Sequence, residues 1–309
     1  MSKIIGLFPG QGSQALGMGQ TLAKNFSPAQ ALLNQADEIL GISLSTMMFE
    51  GPESDLKATQ NTQPALFVCS MMVNEFLKSE GIVFDFVAGH SLGEYSAICA
   101  AGGLSFEDGL KLVRLRGELM ASAGAKAPGA MAAILGLADE DLIPFLEKSQ
   151  DAGPVVAANY NCPGQIVISG AEAAVAKASE LIAAEGKRVV QLPVSGAFHS
   201  PLMNFAVEGL KAGISNTKFN DLNIPLIANV NASAVTQATD IQGFLVDQLT
   251  SSVLWTKSME YAVLQDVTAG VEVGSGKVLM GLMRKISRAV KVIPAEDPAS
   301  IEKVKGLLL

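Results

Sequence analysis

The amino-acid sequence predicts an α/β protein in which a small domain interrupts a larger one built on a mostly parallel sheet. Three observations lead to this prediction. Apolar, strand-like runs alternate with helical patterns along most of the 309 residues. A short apolar run at 84–88 enters a G-x-S-x-G turn, which a helical pattern follows. Between residues 130 and 193 the elements follow the order βαββαβ, which is typical of ferredoxin-like domains.

Composition narrows the class of protein further. The chain has 309 residues, enough for one large domain or two of ordinary size. Apolar residues make up 49% of it, which allows a large core. The net charge is −8 and no basic run is present, which argues against a nucleic-acid partner. The three cysteines, Cys69, Cys99 and Cys162, are odd in number and form no C-x-x-C, so a reducing cytoplasm is expected. The chain has two histidines in total, which argues against a histidine-rich metal site, and no metal is predicted.

The N-terminal segment predicts a strand at Lys3–Phe8, a glycine-rich loop and a helix toward Lys24. The loop at 10–15 imitates a dinucleotide fingerprint, but the acidic residue that should end a second strand is missing, since Asp37 lies in a helical pattern at 29–40. A nucleotide site is therefore disfavoured. The backbone N–H groups of this loop can instead face an anion or an oxyanion. No signal peptide or membrane-spanning stretch is predicted, so no membrane contact is expected.

The G-x-S-x-G turn places Ser91 between the strand at Phe84–Ala88 and a helix at Glu94–Ala101. Glycines flank the serine because a strained turn leaves no room for Cβ atoms beside it. This is the context of a nucleophile elbow, with the N–H of Leu92 facing the position of an oxyanion. A purely structural turn is the alternative that the pattern leaves open.

Two arginines on the next predicted helix, Phe106–Ala123, face nearly opposite ways because they lie two residues apart. Arg114 shares its side with polar residues, whereas Arg116 shares its side with apolar ones. A buried guanidinium is costly unless it meets an anion. That anion is either an Asp or Glu of the protein or a carboxylate of the substrate, and the pattern favours neither.

The βαββαβ block predicts a domain at 125–194, inserted into a large domain formed by 1–124 and 195–309. The remaining elements follow from apolar periodicity and from capping or turn residues. They are a helix at Thr62–Lys78 with Pro64 in its first turn, a strand at 224–229, a helix at 241–249, a strand and glycine-rich turn at 269–277, a helix at 278–287 and a strand at 291–293.

His199 lies in the loop before a helix that Ser200 and Pro201 are expected to start. His90 adjoins Ser91 in the turn and should point away from the serine hydroxyl. Any histidine acting as general base for Ser91 is therefore His199. A structural role is the alternative, since a lone histidine is more often structural than catalytic.

Six motifs together resemble the malonyl-CoA:acyl carrier protein transacylases of fatty-acid synthesis over nearly the whole chain. The resemblance implies an α/β-hydrolase-like large domain that carries the ferredoxin-like insertion. The motifs are the residues at 8–14 and 89–95, Arg116–Gly117 with Met120, and the residues at 161–165, 197–200 and 271–274.

The resemblance also implies roles for residues of the site. Ser91 is the nucleophile and His199 its base, and the N–H groups of Gln11 and Leu92 form the oxyanion hole. Arg116 pairs with the malonyl carboxylate. The implied role of Gln248 is to orient the histidine through its backbone carbonyl. The other implied substrate contacts are His90, Met120, Asn161 and Phe198, of which Phe198 is typical of malonyl-selecting members.

The implied reaction transfers malonyl from malonyl-CoA to the phosphopantetheine thiol of acyl carrier protein through a malonyl-serine, releasing CoA. No permanently bound cofactor is expected, and a monomer is expected. Because such carriers are acidic, a basic patch is needed, with Lys187, Arg188, Arg284 and Lys285 as candidates. The alternatives are a serine hydrolase or thioesterase on the same elbow, an acyltransferase of a polyketide pathway, and a non-catalytic nucleotide-binding protein.

Overall fold

The computed structural model describes residues 3–194 and 196–308, with the side chains of 307 and 308 left out of the description. Its strands form two separate sheets, one of six strands and mostly parallel, the other of four antiparallel strands. The predicted α/β fold, with a parallel-rich sheet and a second small sheet, is confirmed.

The large sheet is formed by strands from both halves of the chain, with helices between them. Its strand order is β10-β9-β1-β2-β7-β8, and only the β7–β8 pair is antiparallel. The elements before the small sheet are β1 (Lys3–Phe8), α1 (Gln20–Asn25), α2 (Ser27–Leu40), α3 (Leu44–Phe49), α4 (Glu53–Lys57), α5 (Thr59–Ser79), β2 (Phe86–Gly89), α6 (Gly93–Ala100), α7 (Phe106–Ala121) and α8 (Ala123–Lys126). Those after it are a 3₁₀ turn (Pro201–Met203), α11 (Asn204–Ser215), β7 (Leu226–Ile227), β8 (Ala234–Val235), α12 (Ala238–Gln248), α13 (Trp255–Leu264), β9 (Val267–Val273), α14 (Val278–Ile286), β10 (Lys291–Ala295) and α15 (Pro298–Leu308).

Both faces of the large sheet are covered, as a parallel sheet requires. Side chains alternate along its strands, so neighbouring residues enter different cores. In β1, Leu7 packs into the core beneath α13 and α14, whereas Phe8 packs into the larger core with α5 and α7. This burial on both sides holds the carboxyl ends of β1 and β2 rigidly, and the candidate site lies at those ends.

The small sheet follows the predicted βαββαβ order and has a core of its own. Its strand order, β4-β5-β3-β6, is that of a ferredoxin-like domain. The domain limits at 125 and 194 stay a prediction, and Ser195, where the second large segment was placed, is outside the described residues. The elements are β3 (Ala130–Leu135), α9 (Asp139–Ser149) with a 3₁₀ turn (Gln150–Ala152), β4 (Val155–Cys162), β5 (Gln165–Gly170), α10 (Glu172–Ala184) and β6 (Arg188–Gln191).

The edge strand β4 is hydrogen-bonded to the large unit. The N–H of Val253 donates to the carbonyl of Ala158 (2.8 Å), and the N–H of Tyr160 donates to the carbonyl of Val253 (2.9 Å). The hydroxyl of Thr256 adds a bond to the Tyr160 carbonyl (3.0 Å). The segment after α12 therefore extends the small sheet at its edge.

Two helix starts were predicted three residues late, that of α5 at Thr62 and that of α12 at residue 241, where the helix begins at Ala238. Helix α5 begins at Thr59, so Pro64 lies inside it rather than in its first turn. A proline at this position cannot donate to the carbonyl of Gln60, four residues earlier. Nη1 of Arg114 donates to that carbonyl instead (3.1 Å) and so replaces the missing helical hydrogen bond.

The sequence analysis missed the short elements α3, α4, α8 and β8 and the longer helices α13 and α15. For α13 a signal was present, because Trp255, Met259 and Ala262 form a buried stripe at helical spacing. The predicted helix start at Ser200 is confirmed, since its side chain accepts from the N–H of Leu202 at the start of the 3₁₀ turn.

Candidate active site

Ser91 lies on a strained turn between β2 and α6. Its φ of 51° falls in the left-handed region, which residues other than glycine rarely adopt. A Cβ on Gly89 would lie 1.9 Å from the Gly93 carbonyl carbon, and one on Gly93 would lie 2.0 Å from the Phe8 carbonyl oxygen. The two flanking glycines thus allow the turn to pack against β1 and expose the serine.

A buried asparagine braces this turn, and the sequence reading did not single it out. The Oδ1 of Asn229 accepts from the N–H of Ser91 (2.8 Å), and its Nδ2 donates to the Gly89 carbonyl (2.7 Å). Asn229 follows β7, which lies beside β2 in the sheet. The amide therefore bonds the backbone on both sides of His90 and opposes relaxation of the strained Ser91.

Ser91 and His199 are in hydrogen-bond contact although 108 residues separate them. The serine Oγ lies 2.7 Å from His199 Nε2, and His199 Nδ1 lies 2.8 Å from the carbonyl oxygen of Gln248. A carbonyl only accepts, so Nδ1 carries the proton and Nε2 is the bare nitrogen. The Ser91 hydroxyl consequently donates to Nε2, which is the arrangement that a general base needs.

The surroundings keep His199 uncharged. Burial, and next the positive charge of Arg116, lower the pKa of His199 to about 3. A neutral imidazole is therefore available at ordinary pH. His199 also has a positive φ of 56°, which indicates that its backbone is held in place by its surroundings.

The two N–H groups expected to face an oxyanion are those of Gln11 and Leu92. Both residues line the cleft above Ser91. Within the described ranges, neither backbone N–H is hydrogen-bonded to a protein acceptor, whereas their neighbours Gly12 and Gly93 are. The Gln11 side chain is directed to Thr59, so only its main chain is free to meet a substrate.

Arg116 is 1% exposed and reaches Ser91 from α7. Its Nη2 donates to the Ser91 Oγ (3.1 Å) and to Gln248 Oε1 (2.9 Å), and its Nη1 donates to Gln63 Oε1 (2.9 Å). None of the ion pairs found among residues 3–194 and 196–308 includes Arg116. Of the two explanations left open above, a direct pairing with a protein carboxylate is therefore wrong.

Arg116 also has spare donor capacity. Three of the five guanidinium N–H groups are used by the bonds just described, and Nε is buried without an acceptor. The ring of Tyr95 lies beneath the group, with its centroid 5.6 Å from the guanidinium carbon. An anion that enters beside Ser91 would find N–H donors ready to bind it.

The cleft above Ser91 lies between the two sheets and has a cavity volume of about 120 Å³. It brings together most of the predicted site residues, and the small sheet contributes part of its wall. Its lining consists of Gln11, His90, Ser91, Leu92, Arg116, Met120, Met131, Asn159, Leu192, Val194, Phe198 and His199.

Two of the predicted site residues lie behind the cleft rather than on its surface. Asn161 contacts His90, whose Nε2 lies 2.8 Å from the amide oxygen, and the His90 ring packs 5.4 Å from that of Trp255. His90 thus points away from the serine hydroxyl. Gln248 is fully buried. Its backbone carbonyl accepts from His199, and its side-chain oxygen accepts from Arg116.

The four basic residues suggested as a carrier patch lie around one end of the small sheet. Arg188 pairs with Leu135, Leu135 with Gln165, and Gln165 with Cys162, so these four positions form one row across the sheet. The row ends at Cys162, and the next residue, Pro163, borders a surface cleft together with Arg284 and Lys285 of α14. Lys187, which is half-buried, precedes Arg188, which is exposed.

Across the ranges 3–194 and 196–308, no group of three or more His, Cys, Asp or Glu side chains is placed to hold a metal ion. None of the helices in these ranges is long and apolar enough to cross a membrane.

The chain is similar to known proteins over nearly its whole length. The family model described as the acyl transferase domain matches residues 6–302. The malonyl CoA-acyl carrier protein transacylase of Bacillus subtilis (strain 168) is 48% identical over 304 residues, covering 98% of this chain and 96% of the relative. That of Haemophilus influenzae is 40% identical, with both chains covered completely.

Solved structures agree along the full length. The acyl-carrier-protein-S-malonyltransferase from Bartonella henselae has a TM-score of 0.96 at 40% identity, covering 100% of this chain and 99% of its own. A malonyl-transacylase solved with its type II PKS acyl-carrier protein has a TM-score of 0.95 at 36% identity, covering 98% of each chain.

Proposed function

The chain belongs to the malonyl-CoA:acyl carrier protein transacylases, and from that premise we propose that it is an acyltransferase that transfers malonyl from coenzyme A to acyl carrier protein through an ester on Ser91. The observation that carries the assignment of the nucleophile is the chain of contacts from the Ser91 hydroxyl through the His199 ring to the Gln248 carbonyl. The carboxylate specificity is supported by Arg116, a buried cation with unused donors beside the same hydroxyl.

In the first half-reaction the malonyl carboxylate binds to Arg116, and the thioester carbonyl lies over Ser91. His199 Nε2 takes the hydroxyl proton while Oγ attacks the carbonyl carbon. The negative charge that forms on the thioester oxygen is bound by the N–H groups of Gln11 and Leu92. The C–S bond then breaks, His199 returns the proton to the sulfur, and CoA leaves with a free thiol.

The second half-reaction repeats these steps with the phosphopantetheine thiol of the carrier. His199 takes the thiol proton, the sulfur attacks the malonyl ester, and the Ser91 oxygen leaves and recovers the proton. The site has a carbonyl behind its histidine, where hydrolases of the serine triad type place a carboxylate. The proposed steps use only side chains and backbone groups of this chain together with the two substrates.

The decisive experiment is intact-protein mass spectrometry after brief mixing with malonyl-CoA, with Ser91→Ala as the matched control. We expect a malonyl adduct on the wild type only, and its removal when acyl carrier protein is added. Free malonate accumulating without a carrier would instead identify a hydrolase. Failure to form any adduct would show that the elbow does not act on this substrate.

The carrier that accepts the malonyl group distinguishes fatty-acid synthesis from a polyketide pathway. One structural relative is a malonyl-transacylase in complex with a type II PKS acyl-carrier protein, so both carriers deserve a test. We propose fatty-acid synthesis as the main role, because the sequence motifs resemble the transacylases of that pathway and two relatives carry the transacylase name. Competition between one carrier of each kind for a limited amount of malonyl-enzyme would rank them directly.

We also propose that the basic residues around the small sheet, named here the carrier stripe (Lys187, Arg188, Arg284 and Lys285), bind the acidic carrier. From Arg188 to the β4 edge the row spans three strand spacings, about 14 Å, slightly more than the width of one helix with its side chains. The strand at the end of this row, β4, also carries Asn161, which contacts His90 beside Ser91.

Reversing all four charges of the carrier stripe to Glu should slow transfer to the carrier and leave malonylation by malonyl-CoA unchanged. The matched control reverses four exposed lysines elsewhere, Lys24, Lys111, Lys211 and Lys218, and changes the net charge by the same amount. Equal effects of the two sets would show that only overall charge matters and would reject the stripe.

A further inference from the structure

The proposed function does not explain how the protein tolerates the buried positive charge of Arg116. A guanidinium buried without a carboxylate partner is strongly destabilising unless its charge is compensated in some other way. Its three acceptors, on Gln63, Gln248 and Ser91, are all uncharged. A buried carboxylate does exist one side chain away, since Gln248 also donates to Glu94 Oε2. Glu94 is 1% exposed and lies in the first turn of α6.

The amide of Gln248 can be oriented in one way only. Its Oε1 faces Arg116, which can only donate, and its Nε2 faces the Glu94 carboxylate and the Ser91 carbonyl (3.0 Å), which can only accept. Turning the amide over would place donor against donor on one side and acceptor against acceptor on the other. Glu94 and Arg116 therefore fix Gln248 from its two ends.

The Glu94 site offers one N–H donor to each carboxylate oxygen, which favours the ionised form. One oxygen accepts from the backbone N–H of Asn229 (2.8 Å) and the other accepts from Gln248 Nε2. Both neighbours are donors, so a glutamine at 94 would have to aim its own NH₂ at one of them. The same carboxylate thus fixes Asn229, which braces the Ser91 turn, and Gln248, whose carbonyl holds His199.

We propose that Glu94 is a positioning residue: its carboxylate, held one amide behind Arg116, compensates the buried guanidinium through Gln248 and leaves the outer face of Arg116 open for the substrate carboxylate. A direct ion pair would fill the donors that malonyl needs. An uncompensated arginine would be expelled or would lose its charge. The proposal rests on the proposed function, because it assigns Arg116 to the malonyl group.

The electrostatics of Glu94 provide a readout that a merely structural residue would lack. Burial raises its pKa to about 7, against the bonds from Asn229 and Gln248 and the charge of Arg116, which lower it. Arg116 on α7 and Tyr95 on the same helix as Glu94 are the titratable groups whose charges couple to this network. His199, with a pKa of about 3, titrates well below this range.

The test is the rate of Ser91 malonylation in rapid-quench mass spectrometry, for wild type and Glu94→Gln, between pH 5.5 and 8.5. In wild type the rate should fall on the acid side of about pH 7 as Glu94 takes up a proton. In Glu94→Gln it should be about 10- to 100-fold lower at pH 8, with that acid limb absent. Loading from acetyl-CoA, which offers no carboxylate, should fall less. A wild-type rate with an unchanged acid limb in the variant would overturn the proposal.

A matched control is available in Glu272, a second fully buried glutamate whose oxygens accept two N–H groups, those of Leu279 and Met280. Glu272→Gln should reduce stability but keep the acid limb and the ratio of malonyl to acetyl loading. Loss of the limb in this variant as well would count against a specific role of Glu94.

The double variant Glu94→Gln with Gln248→Glu covers the case in which the single variant does not fold. It restores a donor–acceptor match between positions 94 and 248 but places an anion directly on Arg116. We expect recovery of the unfolding temperature without recovery of malonyl loading, because the clamp is now occupied. Recovery of both would show that only folding was at stake and would overturn the proposal. Because the proposed function is tested by the wild-type adduct alone, the two can fail separately.

Discussion

The two sides of the Ser91 hydroxyl are built from different parts of the polypeptide. On the proposed oxyanion side the groups are main-chain N–H donors of Gln11 and Leu92, placed by the loop after β1 and the strained turn after β2. On the carboxylate side they are side chains, with Arg116 held by Gln63 and Gln248. The first side depends on backbone geometry and the second on matched donors and acceptors.

The two sides therefore differ in which acyl groups they can discriminate. Backbone donors meet any thioester carbonyl and so serve every acyl group equally. A buried cation distinguishes acyl groups by charge, because an acyl group without a carboxylate leaves it unpaired. Substitutions on the first side should therefore change the rate for all substrates, and those on the second should change the ratio between substrates.

The largest expected effect comes from the centre that both sides share. His199→Ala removes the acceptor of the Ser91 proton, so the rate of adduct formation should fall by about 10⁴-fold or more for malonyl-CoA and acetyl-CoA alike. Rapid-quench mass spectrometry with both thioesters measures it. A loss confined to one substrate would contradict the role of general base.

The oxyanion side can be tested by separating a side chain from its backbone. Gln11→Ala keeps the main-chain N–H, so less than about a threefold change is expected, whereas Gln11→Pro removes it and should cost about 10²- to 10³-fold. The loss should be the same with malonyl-CoA and acetyl-CoA. Thermal unfolding of both variants provides the control for folding, and a large effect of Gln11→Ala would show that the side chain matters after all.

The carboxylate side has a matched control two residues away. Arg116→Ala should reduce malonyl loading about 10- to 100-fold more than acetyl loading, because only malonyl offers an anion to bind. Arg114→Ala removes a half-buried arginine that pairs with Glu118 and bonds the Gln60 carbonyl, so it should reduce stability but leave that ratio unchanged. Equal losses with both thioesters would favour a structural role for Arg116. The measured quantity is kcat/KM for each thioester.

The smallest effect concerns stability. The pKa of Glu94 is raised from 4.5 to about 7, so its contribution to folding is complete below 4.5 and is lost as pH rises through about 7. His199 contributes the opposite slope at lower pH, since its pKa is lowered. Subtracting the curve of Glu94→Gln from that of wild type cancels the second effect, so the free energy of unfolding that wild type gains over the variant should fall as pH rises from about 4.5 to about 7. Parallel curves would contradict the raised pKa.

Sequence reasoning located Ser91, His199 and Arg116 because each carries a local signal: a G-x-S-x-G turn, a helix start, a charge on an apolar stripe. It could not decide what Arg116 meets. The acceptors come from Gln63 and Gln248, 53 and 132 residues away, and a buried glutamine has no distinctive local pattern. The nearby buried carboxylate, that of Glu94, is connected to Arg116 only through the side chain of Gln248.

The order βαββαβ predicted the small sheet well because its periodicity is local. The start of α5 was misplaced for a different reason. A proline is expected in the first turn of a helix, and its tolerance inside α5 depends on Arg114, which is far along the chain and supplies the donor that Pro64 lacks. Capping rules therefore mark helix starts only where no tertiary partner replaces the lost hydrogen bond.

The edge of β4 has a consequence for exchanging parts between relatives. The segment that joins this edge, 252–256, begins four residues after Gln248, whose carbonyl holds His199. A small domain grafted from another transacylase would carry a different edge strand. That strand would shift the segment after Gln248 and with it the carbonyl that accepts from His199. We expect chimaeras to keep their activity when only the solvent-facing residues of the small sheet are transplanted, and to lose it when the edge strand is transplanted with them.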